Sequence, residues 1–81
     1  MFFVYVIVSD EKDLRFYVGF SEDIEKRLSE HNSGKTKSTK GYKPWRIFFT
    51  EKFNTRKEAL EREKYLKSGS GKEKIKQKMV P

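Results

Sequence analysis

The N-terminal segment constrains the fold most, because residues 2–8 form an unbroken run of aromatic and β-branched side chains. Such residues are typical of β-strands, and here both sets of alternating positions are apolar, so both faces of the strand have to be covered. The run lacks the basic start and the cleavage site of a signal peptide. It is also far shorter than the roughly 20 residues that span a bilayer. The run therefore predicts a central strand and no membrane segment.

Two further segments have the alternation of a strand, residues 15–20 and residues 45–50. Only the polar, turn-like residues 9–14 separate the first of these from the N-terminal run, which favours an antiparallel hairpin. The side chains expected to share one face are Phe16, Val18 and Phe20 in the second strand and Trp45, Ile47 and Phe49 in the third.

A first helix is predicted to begin after Ser21, a good N-cap residue, and to run to about His31. Acidic residues follow Ser21, as suits the positive end of a helix. Asn32 and Gly34 are both able to adopt the left-handed conformation that ends a helix, and one of them is expected to do so.

A second helix is predicted from the T-x-x-E pattern of Thr55 and Glu58, a capping box, to about Lys67. The SGSG sequence at 68–71 is expected to break this helix. Residues 72–78 are expected to form a short, lysine-rich third helix with little apolar surface to hold it.

These elements give the order β-β-α-β-α(-α) and an α+β fold, a small three-stranded and mainly antiparallel sheet flanked by helices. With 81 residues, the chain is expected to be one domain over residues 1–81. The absence of cysteine excludes a disulfide scaffold and a thiolate metal site. It also fits a cytoplasmic protein.

The charge of the chain points to a polyanionic partner, because 19 Lys and Arg against 12 Asp and Glu give a net charge of +7. Part of this charge lies in the polar loop at 35–44, where lysines recur every two to three residues. Lysines, hydroxyls and backbone amides are the groups that hold phosphates. We therefore expect the loop to contact a nucleic-acid backbone through Lys35, Lys37, Lys40 and Lys43. The alternative is a solvated loop.

Polar side chains interrupt the apolar face of the first helix when its sequence is placed on a wheel of about 100° per residue. Ile24 and Leu28 define the buried arc, and Arg27 and His31 lie within it or at its margin. His31 has two interpretations: a satisfied histidine that caps the end of its helix, where its charge is favoured, or part of a functional site.

The apolar face of the second helix is expected to consist of Ala59, Leu60 and Leu66, and it contains Glu63. A carboxylate in that position is costly to bury without a partner. Glu63 either reaches solvent at the edge of the face, or pairs internally with Arg27, or serves a functional site.

An Arg, a His and a Glu on inward faces, near a strand that carries Tyr17 and Gly19, form a set suited to phosphodiester hydrolysis. A carboxylate can hold a hard cation such as Mg²⁺, and the cation and an arginine together stabilise charge on phosphoryl oxygens. A histidine or tyrosine can position or deprotonate the attacking water.

Several short motifs resemble one known family. Phe3–Tyr5 and Tyr17–Gly19 resemble the paired sequences that name the GIY-YIG nucleases, at a spacing that fits two neighbouring strands. The Arg27-x-x-x-His31 pattern resembles the helix motif of that family, and the sequence E-A-L-x-x-E, which ends at Glu63, resembles the segment with its metal-binding glutamate. The resemblance is closest to small single-domain bacterial members. It is more distant to the nuclease modules of DNA repair, such as that of the excision-repair incision subunit.

The resemblance implies a divalent-metal-dependent DNA endonuclease with a single, weakly bound Mg²⁺ or Mn²⁺ on Glu63. Tyr5 and Tyr17 are implied to face the active site, one of them activating or positioning the attacking water. Arg27 is implied to contact the scissile phosphate. His31 is implied to assist proton transfer or to hold a tyrosine hydroxyl.

Gly19 is implied to keep the floor of the cleft open, because any side chain there would crowd the phosphate. A chain of this size has little surface with which to read a long sequence, so structure-selective or weakly sequence-selective cutting is expected. We expect DNA rather than RNA as the partner of a cytoplasmic monomer that does not bind membranes. The alternative is a non-catalytic nucleic-acid-binding module.

Overall fold

The computed structural model describes residues 1–10, 15–37 and 39–79. The strands are β1 (Phe2–Ser9), β2 (Phe16–Ser21) and β3 (Trp45–Phe53), and the helices are α1 (Ile24–Ser33), α2 (Arg56–Lys67) and α3 (Gly69–Met79). A short 3₁₀ turn, Lys40–Tyr42, precedes β3. All strand pairs are antiparallel, which confirms the predicted α+β class and the order of its elements. Most of the predicted turn at 9–14 lies outside the described residues.

The strand β1 lies in the centre of the sheet, whose order is β2-β1-β3, as its two apolar faces predicted. Val4 and Val6 on one face pack in a cluster with buried residues of α2 and α3. Tyr5 and Ile7 on the other face pack with Trp45, against residues of α1 and the 3₁₀ turn. Each face is therefore covered by different helices. The candidate site is formed on the face that carries Tyr5.

The third strand contains an irregularity that the alternation of its sequence did not predict. Val6 pairs with Phe49 but Ile7 pairs with Ile47, so Phe48 has no partner in β1. An extra residue of this kind is a β-bulge, and it reverses which face the following side chains occupy. Phe49 accordingly packs in the cluster of Val4 and Val6. Its predicted place beside Trp45 and Ile47 is wrong.

The first helix begins later than predicted. Asp23, and not Ser21, is the N-cap, because the Asp23 carboxylate accepts the backbone N–H of Lys26 at 3.0 Å. Ser21 still belongs to β2, and its hydroxyl bonds the backbone of Asp23 instead. The end of the helix is as expected, because Gly34 has a φ of 83° in the left-handed region.

The second helix begins at the predicted capping pair. The Thr55 hydroxyl oxygen accepts the backbone N–H of Glu58 at 3.2 Å and donates to Glu58 Oε1 at 2.9 Å. Ala59 and Leu66 are buried, but Leu60 is 38% exposed, so its predicted place in the core is wrong. One residue beyond Ala59 on a helix is a rotation of about 100°, which turns Leu60 away from the sheet.

The third helix is longer and better anchored than the sequence suggested. The break after α2 is confined to Ser68, and α3 begins at Gly69, so three residues of the predicted SGSG breaker are helical. Ile75 is among the largest fully buried side chains. Gly71 lies so close to α2 that an added Cβ would be 2.1 Å from the Tyr65 carbonyl oxygen. The prediction that the third helix has little apolar surface to hold it in place is therefore wrong.

Candidate active site

The position of Tyr5 is set by the glycine opposite it in the neighbouring strand. Tyr5 pairs with Gly19 in the β1–β2 ladder. A Cβ built on Gly19 would be 2.2 Å from the Tyr5 hydroxyl oxygen and 2.3 Å from Cζ. The ring of Tyr5 therefore occupies the space above Gly19. A side chain at position 19 would therefore crowd the catalytic candidate Tyr5, whereas the resemblance implied that it would crowd a substrate phosphate.

His31 is completely buried and has a partner at each ring nitrogen. The Tyr5 hydroxyl lies 3.0 Å from Nε2, and the Thr39 hydroxyl lies 2.8 Å from Nδ1. The Thr36 carbonyl is 3.3 Å from Thr39 Oγ1 and can accept its proton. Assigned from this network, Nδ1–H donates to Thr39 and Nε2 accepts from Tyr5. The ring thus bonds two buried hydroxyls and does not cap the carbonyls of α1.

Burial shifts both members of this pair toward their neutral forms. Desolvation raises the pKa of the Tyr5 hydroxyl, and the hydrogen bond and charge of Arg27 oppose the rise. Desolvation lowers the pKa of His31, and the positive charge of Arg27 lowers it further. Near neutral pH the pair is therefore a phenol that donates to an uncharged imidazole.

Arg27 connects this buried pair to the surface. Its guanidinium is near enough to the Tyr5 hydroxyl to oppose the rise in the pKa of that group, and its Nη1 lies 2.6 Å from Glu30 Oε1. The side chain is 35% exposed, and a guanidinium has five N–H donors. Arg27 can thus stay beside the Tyr5 hydroxyl while its other N–H donors contact an anion. Glu30, and not Glu63, is the carboxylate that pairs with it.

Glu63 reaches the same site from α2, which packs on the opposite face of the sheet from α1. Its side chain is 19% exposed, and Oε2 lies 3.2 Å from Lys67 Nζ. Its charge contributes to the raised pKa of Tyr5, which indicates that the two groups are near one another. Of the three interpretations of Glu63, the internal pair with Arg27 is wrong, because the partner of Glu63 is Lys67.

Tyr17 completes the group with its ring. The ring centroid lies 4.8 Å from that of His31 and 6.4 Å from that of Tyr5. Lys67 Nζ lies 6.0 Å from the same centroid. The structure therefore brings together all of the residues predicted for catalysis, which are Tyr5, Tyr17, Arg27, His31 and Glu63.

A divalent cation fits the donor chemistry of Glu63, although no group of three His, Cys, Asp or Glu in the described part of the chain forms a metal cluster. The carboxylate is partly exposed and already attracts one cation, the ammonium of Lys67. Mg²⁺ keeps several waters and takes few protein ligands when a phosphate supplies others. A single carboxylate therefore suits a weak site of this kind.

The predicted phosphate-binding lysines are all exposed, and the structure connects their loop to the buried pair. Thr39, which bonds His31, lies directly before the 3₁₀ turn that begins at Lys40. Lys43 ends that turn, and its Nζ is near Gly34 at the end of α1. Lys35, Lys37, Lys40 and Lys43 thus lie on a loop whose middle is fixed in the site.

Two residues of this region were not found from the sequence. Thr39 is 1% exposed, bonds His31 through its hydroxyl and accepts Trp45 Nε1–H at its carbonyl, 2.8 Å away. Asn32 bonds both backbone groups of Trp45, at 2.6 and 3.0 Å. A threonine in a polar loop and an asparagine at a helix end are ordinary in those places, so no local signal distinguished them.

Comparison with known proteins identifies this arrangement. The GIY-YIG catalytic domain matches residues 1–76. The chain is a member of the GIY-YIG family. That places it in a family of nucleases, and it confirms the resemblance drawn from the paired motifs.

The GIY-YIG relatives include small bacterial proteins of similar length. UPF0213 protein SSP2268 of Staphylococcus saprophyticus is 40% identical over 73 residues, which cover 89% of each chain. UPF0213 protein YazA of Bacillus subtilis is 40% identical over 73 residues, 89% of this chain and 72% of that protein. The solution NMR structure of UPF0213 protein BH0048 from Bacillus halodurans matches 95% of this chain and 84% of that one, at a TM-score of 0.55 and 33% identity. The fold and the family therefore agree.

Within the described ranges, no helix of this GIY-YIG chain has both the length and the apolar character needed to cross a membrane.

Proposed function

We propose that the protein is a divalent-metal-dependent endonuclease that hydrolyses phosphodiester bonds in DNA. The observation that carries the proposal is the buried chain of hydrogen bonds Tyr5–His31–Thr39, with Arg27 on Tyr5 and Glu63 close by. A binding module needs surface cations, but it does not need a neutral imidazole aligned to receive a phenolic proton. The arrangement is thus better suited to catalysis than to binding alone.

Proton transfer in this proposal runs from water to His31 by way of Tyr5. The Tyr5 hydroxyl donates to His31 Nε2, and its two lone pairs are available to a donor of Arg27 and to the attacking water. As the water oxygen bonds to phosphorus, its proton passes to Tyr5, and the Tyr5 proton passes to His31 Nε2. The bridging oxygen of the phosphodiester leaves. Thr39 accepts from Nδ1–H and stabilises the imidazolium that forms.

Tyr17 and Arg27 have supporting roles in this mechanism. Tyr17 is half-buried, packs on the ring of His31 and is assigned to positioning the attacking water. Arg27 contacts the scissile phosphate, where its charge stabilises the negative charge that develops on the phosphoryl oxygens. Glu63 would hold the cation, Mg²⁺ or Mn²⁺, which would neutralise further charge on those oxygens.

Cleavage assays on the wild-type protein and Glu63→Gln test this function. Both are incubated with branched, flapped and linear DNA in Mg²⁺ or Mn²⁺, beside Glu61→Gln as a matched control on an exposed position of α2. We expect metal-dependent cutting by the wild type and by Glu61→Gln, and none by Glu63→Gln. Equal cutting by all three proteins would contradict the role of Glu63. Salt-sensitive binding without cutting on any substrate would favour the alternative, a non-catalytic nucleic-acid-binding module.

DNA binding is proposed to use the exposed lysines of the loop between α1 and β3, which are Lys35, Lys37, Lys40 and Lys43. Each phosphate contact contributes about one unit to the slope of log affinity against log salt concentration. Replacing all four by Gln should therefore lower that slope by roughly the number of lysines that bind phosphate. An unchanged slope would remove these lysines from the interface.

A further inference from the structure

Lys67 is the last residue of α2, one helical turn after Glu63, and its ammonium group lies inside the candidate site. Its Nζ is 3.2 Å from Glu63 Oε2 and 6.0 Å from the centre of the Tyr17 ring. An exposed Glu–Lys pair at this spacing adds only a few tenths of a kcal/mol to a helix. The pair therefore contributes little to the stability of the helix, but it occupies the carboxylate of Glu63.

The ammonium of Lys67 and a divalent cation would compete for the carboxylate of Glu63. Glu63 is the carboxylate proposed to hold the metal, and its Oε2 already bonds Lys67. Two cations cannot share that carboxylate at contact distance without strong mutual repulsion. Lys67 must therefore move before a metal ion can bind closely. It is able to do so, because its side chain is flexible and 49% exposed.

We propose that Lys67 is a positioning residue that occupies the cation-binding side of Glu63 until DNA is present. This inference rests on the proposed function. A phosphate in the site attracts the ammonium away from Glu63, and the carboxylate becomes free for the metal. DNA and metal then bind cooperatively, because each favours the state in which the Glu63–Lys67 pair is open.

Binding of Mn²⁺ to the DNA-free protein tests this inference without any dependence on activity. Free Mn²⁺ is measured by its electron paramagnetic resonance signal in titrations of the wild type and Lys67→Met. Methionine keeps the length and helix propensity of lysine but removes the charge. We expect Lys67→Met to bind Mn²⁺ roughly two- to fivefold more tightly, the range for losing a competing ion pair of this exposure.

Three further variants separate the proposed exchange from general effects of charge or folding. Lys64→Met removes the same charge from an exposed position of α2 beside Glu63 and should change Mn²⁺ affinity less. Lys67→Arg keeps the ion pair, and its affinity should remain close to that of the wild type. Glu63→Gln should bind Mn²⁺ much more weakly.

The outcomes distinguish failure of this inference from failure of the proposed function. If Glu63→Gln loses Mn²⁺ binding but Lys67→Met matches the wild type, Lys67 does not compete with the metal, and the proposed function is untouched. If Glu63→Gln binds Mn²⁺ as the wild type does, the proposed metal site is wrong and this inference is overturned with it. Equal gains in Lys67→Met and Lys64→Met would also overturn it, because net charge alone would then explain the change.

Discussion

Replacing Gly19 by alanine tests whether the close approach of Tyr5 to β2 determines the activity. The added Cβ would be 2.2 Å from the Tyr5 hydroxyl oxygen, and ordinary contact begins near 3.4 Å, so the ring must move by roughly 1.2 Å. The ring is not free to move, because its hydroxyl bonds His31 at 3.0 Å and Tyr5 is 1% exposed. A displacement of this size would break that hydrogen bond.

The expected cost of Gly19→Ala follows from this displacement. A misplacement of about 1 Å in a catalytic group can lower the rate by roughly 100-fold. Overpacking of a filled interior typically destabilises by about 1–3 kcal/mol. Loss of backbone freedom in the unfolded chain offsets only about 0.4–1 kcal/mol of that. We therefore expect a folded but weakened protein with DNA cleavage reduced by roughly two orders of magnitude.

Single-turnover cleavage and urea unfolding of Gly19→Ala measure the two effects. Gly41→Ala is the matched control, because a Cβ there would meet nothing within 4 Å. In a Tyr5→Leu background the clashing hydroxyl and Cζ are absent, so Gly19→Ala should add little further destabilisation. Wild-type rate and stability in Gly19→Ala would refute the reasoning, since they would mean that Tyr5 does not need the space above Gly19.

Three further predictions concern the buried network and α3. DNA cleavage should fall in the acid range as the pH drops through the lowered pKa of His31, because protonated His31 cannot accept a proton; a pH–rate profile without an acid limb over the whole range in which the protein stays folded would contradict this. Thr39→Val should destabilise by roughly 1–3 kcal/mol in urea unfolding, since His31 Nδ1 loses its buried hydrogen-bond partner; unchanged stability would contradict the buried hydrogen bond between His31 and Thr39. Gly71→Ala should lower the melting temperature, because its Cβ would meet α2 backbone, whereas Gly69→Ala has open space and should be neutral or stabilising; equal melting temperatures would argue against the α2–α3 contact.

The fold was largely predictable from the sequence because its main determinants are local. A strand with two apolar faces has to be central, and the capping residues Thr55 and Gly34 mark helix ends wherever they occur. The errors arose where a neighbouring element decides the outcome. The bulge at Phe48 depends on pairing with β1, and the start of α3 at Gly69 depends on a close contact with α2 that only glycine allows at position 71.

Part of the candidate site was predictable, because its residues are polar side chains on helix faces that are otherwise apolar. Arg27, His31 and Glu63 are polar groups on faces that pack toward the sheet, and such positions need a partner. Their partners could not be predicted from the helices. Thr39 lies in a loop that folds back onto His31. Lys67 pairs with Glu63, but the sequence did not distinguish it from the other lysines nearby.

Under the proposed function, the paired charges of the site would favour joint binding of DNA and metal. Arg27 is held by Glu30 and Glu63 is held by Lys67, each about one turn away on the same helix. Both pairs are neutral, so the DNA-free site has no large uncompensated charge. A phosphate that draws Arg27 and Lys67 away leaves carboxylates without partners, and a cation that takes Glu63 leaves Lys67 without one. Each ligand offsets part of the charge that the other brings, so the binding of one favours the binding of the other. An enzyme of this design would bind metal weakly when free and more strongly on DNA, and the Lys67 variants measure the first half of that coupling, the weak binding of metal to the DNA-free protein.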